Sequence, residues 1–285
     1  MSDKDIKPLE ELWDDKSSGS SLLFGELPYE MELMYGEQSP IALIDGDSLL
    51  YYEMNKSTLE EAIKSLDDRI INMLACCETC NFVGFLTIGK CFRYEAAKQR
   101  PYKGNRKGGP KPPIFYALRE YIQQTWKFRY VKGLEADDLV CAYKTGNSIL
   151  CSPDKDVLLQ SQGRHFNYGK SQFITTTHKD AARFLWMQML MGDPGDGIPG
   201  IPKVGPKTAE LIIKDQKIED LPQIVLNKYI EKFGILKGIT IFEETFNLIY
   251  ILRSADDVLH RTGIQLEELD PININILNTS ANDKS

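Results

Sequence analysis

The chain has 285 residues, 42% of them hydrophobic, which fits one large globular domain or two small ones. It holds no apolar run near the roughly 20 residues that a membrane-spanning helix needs, and its acidic start lacks the apolar core of a signal peptide. We therefore expect a cytoplasmic protein without membrane association. The formal net charge of −7 argues at first against a nucleic-acid partner.

The charge is unevenly distributed along the chain. Residues 1–40 hold ten acidic and three basic residues, which is the whole net charge, and we predict an acidic tail at 1–38. Residues 90–111 hold eight Lys or Arg and one acid, with Tyr94 and Tyr102 among them. Cations interleaved with tyrosines are typical of a single-strand nucleic-acid surface, although a solvated basic loop has the same composition. Its glycines and prolines predict that this segment is mobile without a ligand.

Strand and helix patterns alternate through the first half of the chain. Short apolar runs predict strands at 41–44, 81–87, 128–131 and 148–151. Apolar residues at helical spacing predict helices at 58–76 and 114–126, and a further helix begins near Leu139. Strands alternating with helices are typical of a parallel sheet, so we predict an α/β fold with a central, mostly parallel sheet flanked by helices.

Carboxylates cluster near the predicted strand ends, in two groups: Glu135/Asp137/Asp138 and Asp154/Asp156. Asp45 also follows a strand, although the stretch Asp45-Gly46-Asp47 fits an ordinary turn. Ligand sites of α/β sheets lie beyond the carboxyl ends of strands. Two carboxylates ~4 Å apart repel by roughly 4 kcal/mol at an effective dielectric near 20, a cost that a hard divalent cation removes. The alternative is a solvated acidic loop beside a helix N-terminus.

Residues 192–206 are rich in glycine and proline, which excludes regular structure there. Helical patterns flank this stretch at 184–191 and 207–214, so bare backbone amides could approach a phosphate closely. Asp193 and Asp196 in the same turn are spaced to face one site. Further helices are predicted at 221–233 and 241–252, and a polar tail at 271–285.

The six cysteines suggest reduced thiols. Cys76, Cys77 and Cys80 are close in sequence, but a zinc site would need a fourth ligand, and the three histidines lie elsewhere. We expect packed free thiols there.

Five motifs, in this order, resemble the 5′ nucleases: bacteriophage flap endonucleases and 5′→3′ exonucleases, and the 5′-nuclease domain of bacterial DNA polymerase I. They are Ile44-Asp45-Gly46; Phe92-Arg93 with Tyr102-Lys103-Gly104-Asn105-Arg106; Glu135-Ala136-Asp137-Asp138; Asp154-Lys155-Asp156; and residues 192–209 as a helix–three-turn–helix. The resemblance implies an α/β nuclease core at 39–180 with a helical arch at about 89–113, and a helical DNA-binding region at 181–270. It also implies metal-dependent cleavage of DNA at 5′ ends and flaps, and of RNA–DNA primers, by a monomer, in the host cytoplasm if the protein is phage-encoded.

The resemblance further implies a role for each matching residue. The first of two divalent ions, Mg²⁺ or Mn²⁺, would be held by Asp45, Glu135, Asp137 and Asp154. The second would be held by Asp156, Asp193 and Asp196, with Asp138 supporting both. Lys90 and Arg93 would contact the scissile phosphate. DNA would be bound by Lys98, Arg100, Tyr102, Lys103, Arg106 and Lys107, and at the turn, with a K⁺ ion, by Gly200, Lys203, Gly205, Lys207 and Thr208.

One departure leaves alternatives open. The family usually has an Asp at the end of the second strand, where this chain reads Phe85-Leu86-Thr87-Ile88. Thr87 with water fills the place, or the first metal site is weaker. A non-catalytic DNA-binding protein of the same fold is therefore a second interpretation. A PIN-type ribonuclease is a third, and residues 192–209 argue against it because those ribonucleases lack this duplex-binding turn.

Overall fold

The computed structural model describes residues 39–106 and 109–273 of the chain. The predicted tail at 1–38, most of the predicted tail at 271–285, and Lys107 lie outside the described residues. Ile272, which falls within the predicted C-terminal tail, belongs to a short strand instead.

Six strands form one sheet, in the spatial order β5-β4-β3-β1-β2-β8. Their bounds are β1 Ile41–Asp45, β2 Asn81–Phe85, β3 Ser148–Cys151, β4 Gly163–Asn167, β5 Gln172–Thr176 and β8 Ile272–Asn273. β1 is parallel to β2 and β3, β3 is parallel to β4, and the outer strands β5 and β8 are antiparallel to their neighbours. The predicted mostly parallel sheet is confirmed.

β1 is the centre of the parallel part, with β2 on one side and β3 on the other. A crevice opens beyond the carboxyl end of a strand where the strand order reverses in this way, and ligands bind in such crevices. The last residue of β1 is Asp45, so the order of the strands alone places this carboxylate at the crevice.

The predicted strand at 128–131 is wrong. Only Arg129 pairs there, through a single parallel bridge to Phe85. The pairing is short because β2 ends at Phe85, and the Phe128 amide donates to the Ile122 carbonyl of the preceding helix rather than to the sheet.

Six helices belong to the first part of the chain: α1 Asp47–Glu53, α2 Leu59–Cys76, α3 Arg93–Ala96, α4 Pro113–Gln124, α5 Ala136–Ala142 and α6 Lys155–Gln160. The hydroxyl of Thr58 accepts a hydrogen bond from the Glu61 amide at 3.1 Å and starts α2, as an N-cap does. The implied helical arch differs: among the described residues between α3 and α4 there is no helix, because Gly and Pro interrupt the segment.

The second part is mainly helical: α7 His178–Met191, α8 Pro206–Ile213, α9 Leu221–Phe233, α10 Ile235–Ile249 and α11 Ala255–Thr262. A two-stranded antiparallel pair, β6 Gly192–Asp193 and β7 Ile198–Pro199, lies between α7 and α8. The expectation that 192–206 holds no regular structure is wrong for these four residues. The helix predicted at 241–252 begins earlier, at Ile235. Among the described residues, no helix is both long and apolar enough to cross a membrane.

Three groups of buried apolar side chains hold the molecule together. One packs α2 and α4 against the sheet, around Leu66, Ile70 and Trp126. Another includes Leu139 of α5 and Val258 of α11. The third joins α7 to α8, α9 and α10. Strands β1 to β3 have almost no exposed side chains because their apolar runs face helices on both sides.

Asp67 of α2 is a polar anchor within this packing. Its carboxylate accepts hydrogen bonds from the Trp126 indole at 2.7 Å and from the Tyr121 hydroxyl at 2.8 Å. Burial raises the pKa of Asp67 from 3.8 to about 6. The folded protein therefore binds this proton more tightly than the unfolded chain does.

We predict that this raised pKa makes the wild type less stable at neutral pH than at acidic pH, relative to Asp67→Asn. The stabilising contribution is complete below the unfolded pKa and is lost as the pH rises through about 6. The difference in free energy of unfolding between the two proteins should shift by about 2 kcal/mol between pH 4 and pH 7, measured by urea denaturation. Asp215→Asn, at an exposed carboxylate outside this packing, is the control. Parallel pH profiles for wild type and Asp67→Asn would contradict the assignment.

Candidate active site

Asp45 is the buried centre of the acidic rim, the group of carboxylates beyond the carboxyl ends of β1 and β3 that also includes Glu135, Asp137, Asp154 and Asp156. It is 2% exposed, and its carboxylate accepts hydrogen bonds from the Ser152 hydroxyl at 2.9 Å and from the Asp47 amide at 3.1 Å. Ser152 follows β3 directly, so this bond joins the ends of two adjacent parallel strands. Burial, followed by repulsion from Asp47, raises the pKa of Asp45 to about 7.

The start of α5 brings a second group of carboxylates to the same place. Glu135 is the N-cap residue and Asp138 completes a capping box. Asp137, between them, has its pKa raised well above the ordinary value by burial and by repulsion from Asp45 and Asp154. Carboxylates from the ends of β1 and β3 and from the start of α5 therefore converge closely enough to repel one another, as the sequence predicted.

Asp154 and Asp156 open α6, just beyond β3. Asp154 is exposed, and its carboxylate accepts a hydrogen bond from the Asp156 amide at 2.7 Å. The Asp156 carboxylate accepts hydrogen bonds from Lys155 Nζ at 2.7 Å and from the Gln188 amide at 2.9 Å. Burial raises the pKa of Asp156 to about 6, and Asp193 is among the charges that raise it.

The turn between β6 and β7 supplies the remaining acids. The Asp193 carboxylate accepts a hydrogen bond from the Gly195 amide at 2.8 Å, which fixes it within the turn. Asp196 accepts one from the Tyr102 hydroxyl at 3.0 Å and forms an ion pair with Arg106. Asp193 thus faces Asp154 and Asp156 at the start of α6, whereas Asp196 faces the basic segment, residues 90–111.

Part of the basic segment lies on the acidic rim. Lys103 Nζ donates to Glu135 Oε1 at 2.5 Å, and the Tyr102 hydroxyl donates to Glu135 Oε2 at 2.9 Å. Burial alone would raise the pKa of Glu135, but Arg93 and Lys103 together hold it below its ordinary value. Lys103 has a left-handed backbone, with φ of 54°, a conformation that costs roughly 1 kcal/mol or more outside glycine.

This arrangement differs from two expectations. Tyr102 was predicted to present a face for stacking, but it is 5% exposed and its hydroxyl is committed to two carboxylates. The segment was predicted to be mobile without a ligand, yet the part at 101–106 is held on the rim by opposite charge. Lys98 and Arg100, before it, are exposed as a DNA contact requires.

Arg93 occupies a different position from the one expected. It is 3% exposed, and its guanidinium donates to both Asp138 oxygens at 2.6 and 2.8 Å, and to Glu135 at 3.2 Å. It also donates to the backbone carbonyls of Leu248 and Tyr250 at 3.1 and 2.8 Å. No face of the guanidinium is open to a phosphate, so Arg93 positions α5 from below the rim. Lys90, in contrast, is exposed.

The glycine-rich turn presents a separate exposed surface. Lys203, Gly205, Lys207 and Thr208 are all exposed, and α8 begins at Pro206 without a side-chain cap. Its first amides are therefore available to an anion. Gly200 has another reason to be glycine: a Cβ there would lie 2.1 Å from Met191 C and 2.3 Å from Gly192 N, so it is a packing residue.

Sequence reasoning missed several side chains that complete the site. Ser152 and Gln188 orient Asp45 and Asp156, and Asp47, first interpreted as part of a turn, contributes a carboxylate. The sequence could have indicated two of them by their position, because Asp47 and Ser152 both lie just beyond strands that end at the rim.

The rim is not closed around an ion in this conformation. Among the described residues, no three His, Cys, Asp or Glu side chains are grouped so as to hold a metal ion. Lys103 and Arg106 lie on two of the carboxylates instead. The donor chemistry nevertheless fits a hard divalent cation, because the candidate ligands are all carboxylates and the charges near Asp45 and Asp137 still raise the pKa of both.

Known proteins with similar sequences are DNA nucleases. The chain is 30% identical over 234 residues to a 5′-3′ exonuclease of Buchnera aphidicola, covering 71% of this chain and 78% of that protein. It is 32% identical over 129 residues to the flap endonuclease Xni of Shewanella oneidensis, covering 40% of this chain and 49% of that protein. No protein-family model matches the chain.

Solved structures agree at the level of the fold. A bacteriophage T5 protein co-crystallised with metal ions matches with a TM-score of 0.59 at 16% identity, covering 85% of this chain and 98% of that one. A bacteriophage T5 flap endonuclease in complex with DNA and metal ions matches with a TM-score of 0.58 at 15% identity.

The chain belongs to the 5′-nuclease family, the family of 5′-3′ exonucleases and flap endonucleases. It is accordingly a hydrolytic DNA nuclease, which favours the first interpretation of the sequence over the two alternatives.

We predict that Arg93 is required for stability and Lys90 is not. Arg93→Ala leaves Asp138 and Glu135 buried without their partner, and breaking such a pair costs about 3–5 kcal/mol. Urea denaturation should show a loss of that size for Arg93→Ala and no measurable change for Lys90→Ala. Wild-type stability in Arg93→Ala would show that the ion pair does not hold α5 in place.

Proposed function

We propose that this nuclease cleaves DNA at 5′ ends and 5′ flaps with two divalent ions, Mg²⁺ or Mn²⁺, at the carboxyl edge of the sheet. One observation carries the proposal: Asp45, Asp137 and Asp154 come from three different elements and repel one another at the crevice beyond β1. Such crowding opposes folding unless a cation relieves it. Oxygen ligands alone favour Mg²⁺ or Mn²⁺ over zinc.

The position of each carboxylate suggests its ion. We assign Asp45, Glu135, Asp137 and Asp154 to the first ion, because they surround the ends of β1 and β3. We assign Asp156 and Asp193 to the second, because α6 and the β6–β7 turn bring them close enough to repel each other. We assign Asp196, from the same turn, to the second ion as the resemblance implies, although its carboxylate is paired with Arg106 in the described conformation. Asp138 supports the first group through Arg93, which also binds Glu135. Two ions at such a site activate the attacking water and stabilise the leaving oxygen.

The cations of the chain would then act on the phosphate. Lys90 is exposed beside the rim and can offset charge on the scissile phosphate. Lys103 and Arg106 neutralise Glu135 and Asp196 in the described conformation, so we propose that they exchange these carboxylates for DNA phosphates when substrate and metal bind. Arg93 keeps its buried position and holds α5 in place.

The region at 181–270 would grip the duplex, while the core at 39–180 cleaves. Lys203, Lys207, Thr208 and the amides after Gly205 form the exposed turn that we propose binds the phosphate backbone, together with a K⁺ ion. Lys98 and Arg100 would contact the strand that carries the 5′ end. RNA–DNA primers, a monomeric state and a cytoplasmic location complete the proposal.

We predict that Asp154→Asn abolishes cleavage of a labelled 5′-flap DNA in Mg²⁺ while binding of that DNA is retained or tighter. The substitution removes a metal ligand and also a charge that repels phosphate. Product length on a denaturing gel reports cleavage, and fluorescence anisotropy in Ca²⁺ reports binding. Asp68→Asn, at an exposed carboxylate of α2, should cleave like the wild type. Full Mg²⁺-dependent cleavage by Asp154→Asn would rule out the assignment.

The turn is tested separately through the salt dependence of duplex binding. Each lost phosphate contact should reduce the slope of log K against log salt by about 0.9. We therefore expect the double variant Lys203→Ala/Lys207→Ala to bind duplex more weakly, with a slope reduced by up to roughly 1.8. Lys179→Ala/Lys170→Ala, at exposed lysines outside the turn, is the matched control. An unchanged slope in the turn variant would exclude the turn as a phosphate site.

A further inference from the structure

Asp47 is an acid at the rim to which neither the motifs nor the proposed ligand sets assign a role. It is the first residue of α1, two residues beyond Asp45. Its Oδ1 accepts a hydrogen bond from the backbone amide of Thr87 at 2.9 Å. Thr87 lies just beyond β2, so a carboxylate that comes from the end of β1 is held at the end of the neighbouring strand.

Thr87 connects this carboxylate to the rest of the rim. Its hydroxyl accepts a hydrogen bond from the amide of Ala136, the first residue of α5, at 2.9 Å. Its carbonyl accepts one from Arg119 of α4 at 2.6 Å. The β2 end, α1 and the start of α5 therefore meet at Thr87, and Asp47 is the carboxylate that stands there.

A structural role alone does not explain an acid at position 47. The Thr87 amide needs only an acceptor, which Asn or Ser would also provide. The negative charge of Asp47 instead lies beside Asp45, whose carboxylate accepts a hydrogen bond from the Asp47 amide at 3.1 Å, and it adds to the repulsion at Asp45 and Glu135. Arg119 attracts it, yet the described contacts direct that guanidinium to the Thr87 carbonyl and form no ion pair with Asp47. A negative charge at Asp47 is therefore unfavourable until a cation binds among these carboxylates.

We infer that Asp47 is a further residue of the first metal site and supplies, from α1, the carboxylate that the end of β2 lacks. Position 87 holds Thr where an acid would face the same ion, and the Asp47 side chain reaches that position from the adjacent strand end. The first metal site is thus completed by a carboxylate from the start of α1 instead of one from the end of β2. The inference rests on the proposed two-metal function and adds a ligand to it.

The test measures metal binding without DNA or catalysis. Free Mn²⁺ is followed by electron paramagnetic resonance during titration of the full-length wild type, Asp47→Asn, and Asp47→Asn/Thr87→Asp. Asp47→Asn keeps an acceptor for the Thr87 amide but removes the charge. We expect it to weaken one Mn²⁺ site by about 10- to 100-fold and to leave the other unchanged. The added Asp should restore the weakened site, because its carboxylate can accept the Ala136 amide and face the same ion.

Each outcome separates metal binding from packing. Asp68→Asn should bind Mn²⁺ like the wild type, and thermal unfolding in EDTA should show Asp47→Asn folded. Wild-type Mn²⁺ affinities in Asp47→Asn would overturn the inference. So would a weakened site that Thr87→Asp does not restore, because Asp47 would then only position the Thr87 segment. Failure of the two-metal proposal is distinguishable, since the wild type itself would then bind no pair of Mn²⁺ ions.

Discussion

The buried ion pair of Arg93 with Asp138 and Glu135 is the interaction on which the rest of the structure depends. A guanidinium that is 3% exposed must have every donor satisfied, and here two carboxylates and two backbone carbonyls do so. The carbonyls belong to Leu248 and Tyr250, at the end of α10. The first turn of α5 and the end of α10 are therefore fixed against one charged group, and neither can move far without leaving that charge unpaired.

The charges of the rim divide into two halves. Glu135, Asp138 and Asp196 have cationic partners within the described part of the chain, namely Arg93, Lys103 and Arg106. Asp45 and Asp137 have no ion pair there, and they carry raised pKa values because of burial and mutual repulsion. The uncompensated half lies at the crevice, and the compensated half faces the basic segment. The carboxylates that have no ion pair are thus separated in space from the carboxylates that Lys and Arg side chains neutralise.

Local patterns predicted much of the fold and of the acid positions. The helix at 58–76 and the strands at 41–44 and 148–151 follow from apolar spacing, and the rim follows from the rule that parallel strands end together. Predictions failed where a residue depends on a distant partner. Arg93 is buried by carbonyls at 248 and 250, and Tyr102 by Asp196, and no local pattern contains those contacts. The strand at 128–131 failed because β2 ends at Phe85, so Arg129 alone finds a partner there, and the end of β2 cannot be seen from residues 128–131.

The pairing of β8 with β2 also has a consequence for biosynthesis. Translation proceeds from the N-terminus, so β1 to β5 leave the ribosome before Ile272 and Asn273 are made. During that interval the amides and carbonyls at the start of β2 form an open edge, which can pair with a strand of another chain. The sheet therefore cannot be completed until helices α7 to α11 have been synthesised. A nascent chain released early would carry an exposed, aggregation-prone strand in a sheet that already bears Asp45, Asp137 and Asp154.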